Sequence, residues 1–265
     1  MILPLLYGGI VGLSLGLTGG GGSIFAVPLL VYGLETGMRR AVALSLAVVG
    51  LTSLYGALLQ ARSGLVVWGA GLVLGVGGII GAPFGARLGA LLPEQLALLL
   101  FAGLMLLIGW RMLQPTAGAL EVPLPWVSCT RSAEGKPHFN LACAAKLVAF
   151  GALTGVLSGI FGVGGGFLVV PALMVVTGIG IDQALATSLV GIFLIAGSGF
   201  AANAHQLAAR DVGLGLLFLL GSGAGMTLGA ALKTSIPAVW LKRIFGLTVL
   251  GVAAYVIVRN LKNLK

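Results

Sequence analysis

Two glycine clusters are the part of the sequence best suited to binding a ligand. The first runs Gly16-Leu-Thr-Gly-Gly-Gly-Gly-Ser-Ile-Phe-Ala-Val-Pro28, and the second runs Gly159-Ile-Phe-Gly-Val-Gly-Gly-Gly-Phe-Leu-Val-Val-Pro171. Each lies in an apolar stretch longer than one membrane-spanning helix needs, and its glycines and proline weaken a helix there. Because unsatisfied backbone groups cannot face lipid, the interrupted backbone must line protein or water.

A helix that restarts after such a break can bind an anion without any charged side chain. Its first N–H groups are free, and its N-terminus carries about half a positive charge. The candidate substrate-binding residues are the glycines of each break and the serine that follows the first: Gly20, Gly21, Gly22, Ser23, Gly164, Gly165 and Gly166. Ser23 is placed to cap the helix or to touch the anion, and Gly166 replaces it in the second cluster. The alternative is that the glycines only kink the helices and let them pack closely.

Four polar residues at the ends of two other apolar segments are further candidates. Gln60 and Asn203 occupy equivalent positions in the two halves of the sequence, and Arg62 and His205 follow two residues later. A carboxamide followed by a cationic or titratable group, twice, could form a paired anion site or gate. The alternative is an arginine that extends to the membrane interface and a hydrogen-bonded histidine at a helix end. If a proton is coupled, His205 is the group expected to carry it, since all six carboxylates fall at segment edges or in the linker.

Other site chemistries are not indicated. No Lys-Ser or Lys-Thr follows the glycines as a nucleotide-binding loop requires. Cys129 and Cys143 are separated by fourteen positions without a CxxC pattern, so neither a redox motif nor a zinc cluster is predicted. We therefore expect no cofactor, no metal and no catalytic residue, and an enzyme is the least favoured class of protein.

The composition indicates which elements must position these residues. Of the 265 residues, 58% are hydrophobic and only 8% are charged, and the mean hydropathy is +1.14. Soluble domains carry about 25% charged residues, so the surrounding medium must be a lipid bilayer. The net charge of +9 comes from Lys and Arg at the segment ends. Without a contiguous basic face it does not indicate a nucleic-acid partner, but it can attract anions and anionic lipid head groups.

Apolar runs predict an all-α polytopic membrane protein with about eight segments: 3–34, 40–61, 65–92, 94–113, 144–177, 183–205, 212–232 and 237–258. A first membrane repeat (1–114) and a second (144–265) flank a polar, proline-rich extramembranous linker (115–143). If the broken first and fifth segments cross the membrane fully, each half has four spans and the halves are parallel. If they are re-entrant, each half has three crossings and the halves are inverted.

The two halves match at nearly constant spacing. A shift of 143 and then 144 residues superposes the proline and serine positions and one phenylalanine pair: Pro28 on Pro171, Ser45 on Ser188, Pro93 on Pro237 and Phe101 on Phe245. Duplicated halves with the same interrupted segment are typical of transporters, although a non-transport membrane scaffold is an alternative.

Three further stretches complete a pattern that covers the chain outside the linker: Gly64-Leu-Val-Val-Trp68, Gly81-Ala-Pro-Phe-Gly-Ala-Arg87 and its partner Gly225-Met-Thr-Leu-Gly-Ala-Ala231. With the paired glycine clusters, this order resembles the TauE/SafE family of membrane permeases. One departure is that the second half lacks the glycine that precedes the valine-tryptophan pattern of the first.

The resemblance implies a multi-pass permease in a bacterial or archaeal plasma membrane. Its substrate would be a small sulfur-containing anion such as sulfite or an organosulfonate. An anion channel of the same architecture is the alternative, and association as a homodimer stays open.

Overall fold

The computed structural model describes residues 2–113, 129–131, 137–138, 140–232 and 238–262. The α-helices in these ranges are α1 (Ile2–Thr18), α2 (Ala26–Pro28), α3 (Met38–Ala61), α4 (Trp68–Leu91), α5 (Glu94–Leu113), α6 (Leu141–Phe161), α7 (Gly166–Thr177), α8 (Ile181–Asn203), α9 (Ala209–Leu232) and α10 (Ala238–Lys262). Short 3-10 segments precede α2 (Gly21–Phe25) and follow α8 (Ala204–Gln206), and a π-helical turn follows α2 (Leu29–Gly33). The strands β1 (Thr130–Arg131) and β2 (Pro137–His138) form an antiparallel pair.

The prediction of an all-helical polytopic membrane protein is confirmed. Five helices are long and apolar enough to cross a bilayer, namely α3, α4, α6, the continuous run from α8 through its 3-10 end, and α9. Many large apolar side chains on these helices face outward, as lipid contact requires: Leu51, Leu72, Ile80, Phe84, Leu216 and Leu220 are examples.

Glycines let four of the helices pack backbone against backbone in two pairs. Three glycines of α1 lie so close to the α9 main chain that an added Cβ atom would collide with it. The contacts advance in the same direction along both helices: Gly8 on Phe218, Gly12 on Ser222 and Gly16 on Met226. The α4 and α6 contacts repeat this pattern: Gly77 on Val148, Gly81 on Ala152 and Gly85 on Val156. Both pairs are therefore parallel, and small residues permit their close approach.

Both broken segments reverse direction and form helical hairpins, as expected for re-entrant segments. In the first, the returning segment runs antiparallel to α1. Gly22, early in this segment, lies against Leu15 near the end of α1, and Gly33, later in it, lies against the ring of Tyr7 near the start of α1. In the second, α6 and α8 both run parallel to α4, so α7 must run in the opposite direction between them. We call residues 2–33 the first hairpin and residues 141–177 the second hairpin.

The two halves have opposite orientations. Helix α3 and its repeat-equivalent α8 are antiparallel, since Gly50 contacts Ala196 while Gly56, further along α3, contacts Leu189. Of the two arrangements considered from the sequence, the helix directions match the inverted one. We call the side with the start of α1 and the end of α10 the terminal face, and the side with the end of α5 and the start of α6 the linker face.

Most of the predicted linker (115–143) lies outside the described residues. Its described part contains β1, β2 and a disulfide between Cys129 and Cys143, whose Cα atoms are 5.0 Å apart. The sequence analysis considered these cysteines only for redox and zinc motifs and did not anticipate that they pair with each other.

Candidate functional site

The ends of the two hairpins meet in the interior of the protein. Gly20 lies against Gly166, so closely that a Cβ on Gly20 would be 2.9 Å from the Gly166 Cα, and a Cβ on Gly166 would overlap the Gly20 carbonyl. Only glycine allows this approach. The chain reverses through residues with positive φ: Gly19, Gly20, Gly162, Gly164 and Gly165. We call this meeting point the hairpin crossing.

Two buried serines hold the hairpin ends in place. The Ser45 hydroxyl on α3 donates a hydrogen bond of 2.6 Å to the carbonyl oxygen of Gly162, and the Ser188 hydroxyl on α8 donates to that of Gly19. These carbonyls lie at the ends of α6 and α1, and inside the membrane they need hydrogen-bond donors from the protein. The equivalent positions of the two serines in the repeat were the sequence signal for this role, but the sequence analysis did not select them as site residues.

In the first hairpin, the candidate residues bond mainly within their own turn. The Gly22 N–H donates to the Thr18 hydroxyl (3.0 Å), and the buried Ser23 hydroxyl donates to the Gly20 carbonyl (2.7 Å). Gly21 is half-buried between them. Ser23 therefore secures the turn locally, as a capping residue does.

In the second hairpin, a regular helix restarts at the crossing. Gly164 and Gly165 are buried in left-handed conformations, and α7 begins at Gly166, whose backbone touches the other hairpin. The N-terminal end of α7 thus lies inside the protein and points toward the crossing, in the geometry that favours an anion.

Two buried hydroxyl groups near the crossing lack hydrogen-bond partners within the described part of the chain. Ser53 lies one turn beyond Val49, which packs against Gly164, and Ser158 lies one turn before Gly162. Both serines are fully buried. Because a buried hydroxyl without a partner is costly, each is a candidate donor to a ligand or a water molecule.

The other four candidate residues do not converge on one site. Gln60 and Arg62 end α3, whereas Asn203 and His205 end α8, and the two helices are antiparallel. Gln60 and Arg62 therefore lie toward the linker face, and Asn203 and His205 lie toward the terminal face. Arg62 and His205 are exposed, the Asn203 amide donates to the Gly199 carbonyl (2.9 Å), and His205 contacts Gln206 (2.8 Å).

A cavity of about 540 Å³ lies between the first hairpin and α10. Its wall is mostly apolar but includes six hydroxyl-bearing residues: Tyr7, Ser14, Thr18, Tyr32, Thr248 and Tyr255. Thr18 links the cavity to the crossing, because its hydroxyl accepts the Gly22 N–H. The cavity therefore runs along the first hairpin, from Thr18 next to the glycine break to Tyr32 near the terminal face.

A second cavity, of about 560 Å³, lies at the terminal face. Tyr32 lines both cavities, and the outer one also contains Arg259, Glu35 and Glu94. The sequence analysis missed Arg259, because its last predicted segment ended one residue earlier, at position 258.

The equivalent space beside the second hairpin contains aromatic rings. Phe101 of α5 packs on Phe161 of α6, with ring centroids 5.7 Å apart, and both side chains are buried. Thr18 is the repeat-equivalent of Phe161, and it lines the open cavity of the first hairpin. The two hairpins thus differ in packing although their backbones are equivalent.

Comparison with known proteins identifies the chain. A family model described as "Sulfite exporter TauE/SafE" matches residues 4–256. A "Probable membrane transporter protein" of Xylella fastidiosa is 36% identical, over 100% of this chain and 97% of its own length. The "Probable membrane transporter protein YdhB" of Bacillus subtilis is 28% identical, over 93% and 96% respectively. No solved structure matches. The chain therefore belongs to the TauE/SafE family and is a multi-pass transporter of the cell membrane.

Proposed function

We propose that this transporter moves a small sulfur-containing anion, such as sulfite or an organosulfonate, as a secondary transporter. The observation that carries the proposal is the hairpin crossing, where Gly20 meets Gly166 and α7 begins in the interior. An anion at this point would be bound by oriented backbone groups rather than by a buried lysine or arginine.

The chemistry of the crossing suits an oxyanion. Partial positive charge at the start of α7 attracts the anion. The unpartnered hydroxyls of Ser53 and Ser158 can donate to its oxygens. Dipolar donors of this kind leave the empty site uncharged, so it need not hold a costly isolated charge inside the membrane between transport cycles.

Unequal packing of the two hairpins favours a transporter over a channel. A cavity runs along the first hairpin from the terminal face to Thr18, whereas the buried rings of Phe101 and Phe161 pack together at the equivalent place beside the second hairpin. A transporter opens to one side at a time, and two inverted hairpins could exchange these packings. A channel would need a continuous route through both.

Sulfite as substrate is supported by the family description and by this chemistry. The names of the relatives specify a transporter and no substrate. The crossing also suits an organosulfonate, which presents the same pyramid of three hydrogen-bond-accepting oxygens.

Counterflow in proteoliposomes tests the proposal. Vesicles preloaded with unlabelled sulfite should accumulate external labelled sulfite transiently and saturably, and protein-free vesicles should not. Non-saturable flux without counterflow would indicate a channel. No flux of sulfite or of ethanesulfonate would contradict the proposed substrate class.

A further inference from the structure

We propose that Arg259, Tyr32 and Tyr255 form an anion-binding entrance at the terminal face; this site rests on the proposed function but is tested separately from flux. The Arg259 Nη1 atom donates a 2.8 Å hydrogen bond to the Tyr255 hydroxyl, and its guanidinium lies 5.2 Å from the Tyr32 ring centroid. The two aromatic side chains hold the cation in a fixed position, and its other N–H groups stay available.

The Arg259 guanidinium has no salt bridge and the Tyr32 hydroxyl has no hydrogen bond within the described part of the chain. Among residues 2–113, 129–131, 137–138, 140–232 and 238–262, no carboxylate forms a salt bridge with Arg259. The Tyr32 hydroxyl oxygen is buried without a hydrogen-bond partner in the same ranges. A half-buried guanidinium beside an unpartnered hydroxyl matches an oxyanion with at least two free oxygens.

The surrounding charges favour a singly charged ligand. Glu35 and Glu94 line the same outer cavity, and the Glu94 carboxylate is already bonded to the Met38 N–H (2.6 Å) at the start of α3. Two carboxylates and one guanidinium give the cavity a net negative charge, which repels a doubly charged anion more strongly than a singly charged anion held by the guanidinium. We therefore expect hydrogen sulfite or an alkanesulfonate to bind in preference to sulfate.

Titration calorimetry of the purified protein tests this site. Ethanesulfonate should bind to the unmodified protein, and Arg259→Ala should weaken the affinity about tenfold or more, the effect of losing a charged hydrogen-bond donor. Arg259→Lys should weaken it less. Arg87→Ala, which removes an exposed arginine that lines neither cavity, is the matched control.

The outcomes separate this site from the proposed function. Unchanged affinity in Arg259→Ala, tighter binding of sulfate, or no binding of either anion would overturn the entrance site. Loss of ethanesulfonate affinity in Arg259→Ala, in a protein that shows no flux in vesicles, would support the site and contradict the transport proposal.

A separate observation, the disulfide, orients the chain in the membrane. Cys129 and Cys143 are buried and bonded, and Cys143 lies in the first turn of α6, where its N–H donates to the Asn140 side chain (2.7 Å). The bond thus closes a loop containing β1 and β2 onto the linker face. Stable structural disulfides form in oxidising compartments and are rare in the cytosol.

We infer that the linker face is extracytoplasmic and that both chain ends are cytoplasmic. Lys and Arg residues do not decide the orientation, because neither face has a clear excess of them among the described residues. With this orientation, the cavities lined by Tyr32 open toward the cytoplasm, the compartment from which an exporter takes its substrate.

Labelling of intact cells with a membrane-impermeant maleimide tests the orientation. Ser63→Cys, in the exposed turn at the linker face, should label directly, and Ala208→Cys, exposed at the terminal face, should label only after permeabilisation. The native cysteines should react only after reduction. Each new cysteine is also examined with Cys129→Ser and Cys143→Ser, so that native thiols cannot contribute.

The opposite labelling pattern, labelling of both positions in intact cells, or native cysteines that react without reductant would overturn the inference. These readouts require neither transport nor ligand binding, so they are independent of both earlier proposals.

Discussion

The hydroxyl group of Ser45 donates a hydrogen bond to the carbonyl oxygen of Gly162, 2.6 Å away and 117 positions along the chain. The Ser188 hydroxyl, in the second half, donates the equivalent bond to the carbonyl oxygen of Gly19 in the first half. Each half thus supplies a spanning helix whose serine secures the hairpin of the other half. Because the two bonds link the halves reciprocally, the position of either hairpin depends on both copies of the repeat.

We predict that Ser45→Ala and Ser188→Ala each destabilise the protein. Each removes a donor and leaves a buried carbonyl unsatisfied, a cost of about 1–3 kcal/mol. Thermal unfolding in detergent should therefore begin at a lower temperature in both variants. Thr227→Ala is the control, because its exposed hydroxyl bonds only within its own helix, to Ala224. Equal stability of all three variants and the unmodified protein would contradict this role.

Glycine at the crossing should be essential for transport. Gly164 has a φ of +66°, and a Cβ there would lie 2.8 Å from the Val49 side chain, so Gly164→Val should abolish sulfite uptake. Gly166→Ala should also abolish sulfite uptake, because the added Cβ would overlap the Gly20 carbonyl and displace Gly20. For Gly21→Val we expect the same loss, at a position that is less enclosed.

Gly197→Ala is the matched control for these variants, because no atom lies within 4 Å of its added Cβ. Size-exclusion profiles should show that each variant is folded. Normal uptake by Gly164→Val and Gly166→Ala together would refute a functional role for the crossing.

The hydroxyls of Ser53 and Ser158 should matter for the ligand more than for the fold. Neither has a partner among the described residues, so replacing either with alanine removes no hydrogen bond and should cost little stability. If these groups bind the anion, Ser53→Ala and Ser158→Ala should raise the KM for sulfite several-fold. Lower stability with an unchanged KM would instead indicate a structural role.

Much of this fold follows from the sequence because the hydrophobic effect and duplication act over long segments. Helix α5 has the predicted bounds 94–113, and the other helices begin or end within a few residues of prediction. Whether Gly20 would turn back or continue across the membrane was not predictable, since local glycine chemistry permits both. That choice depends on packing against Gly166, more than a hundred positions away.

The site was only partly predictable for the same reason. The glycine clusters were identified because interrupted helices have a direct physical consequence in lipid. Arg259 and Tyr32 were missed because each is unremarkable in its own segment, and only the fold brings them within 5.2 Å. Arg62 and His205 were grouped by repeat equivalence, yet an inverted repeat places equivalent residues on opposite faces.

Arg62 and His205 should therefore affect anion binding from different sides of the membrane. In vesicles of defined orientation, Arg62→Ala should weaken uptake from the linker face and His205→Ala uptake from the terminal face. Neither change should alter stability, since both side chains are exposed. Kinetics measured from each side, together with calorimetry, provide the comparison. Unchanged values for both variants would leave Arg62 as an interfacial arginine and His205 as a helix-end residue.

Filling the cavity beside the first hairpin tests whether it is the substrate route. Val252 of α10 lines this cavity, and Val252→Trp would occupy part of its 540 Å³ with an indole ring. The substitution faces open space, so the protein should fold, whereas sulfite turnover should fall sharply. Val258→Trp introduces the same ring at an exposed position on the same helix and outside both cavities. A transport rate in Val252→Trp equal to that of Val258→Trp would indicate that the cavity is a lipid-facing crevice, because an indole ring that occupies part of the substrate route should slow the anion.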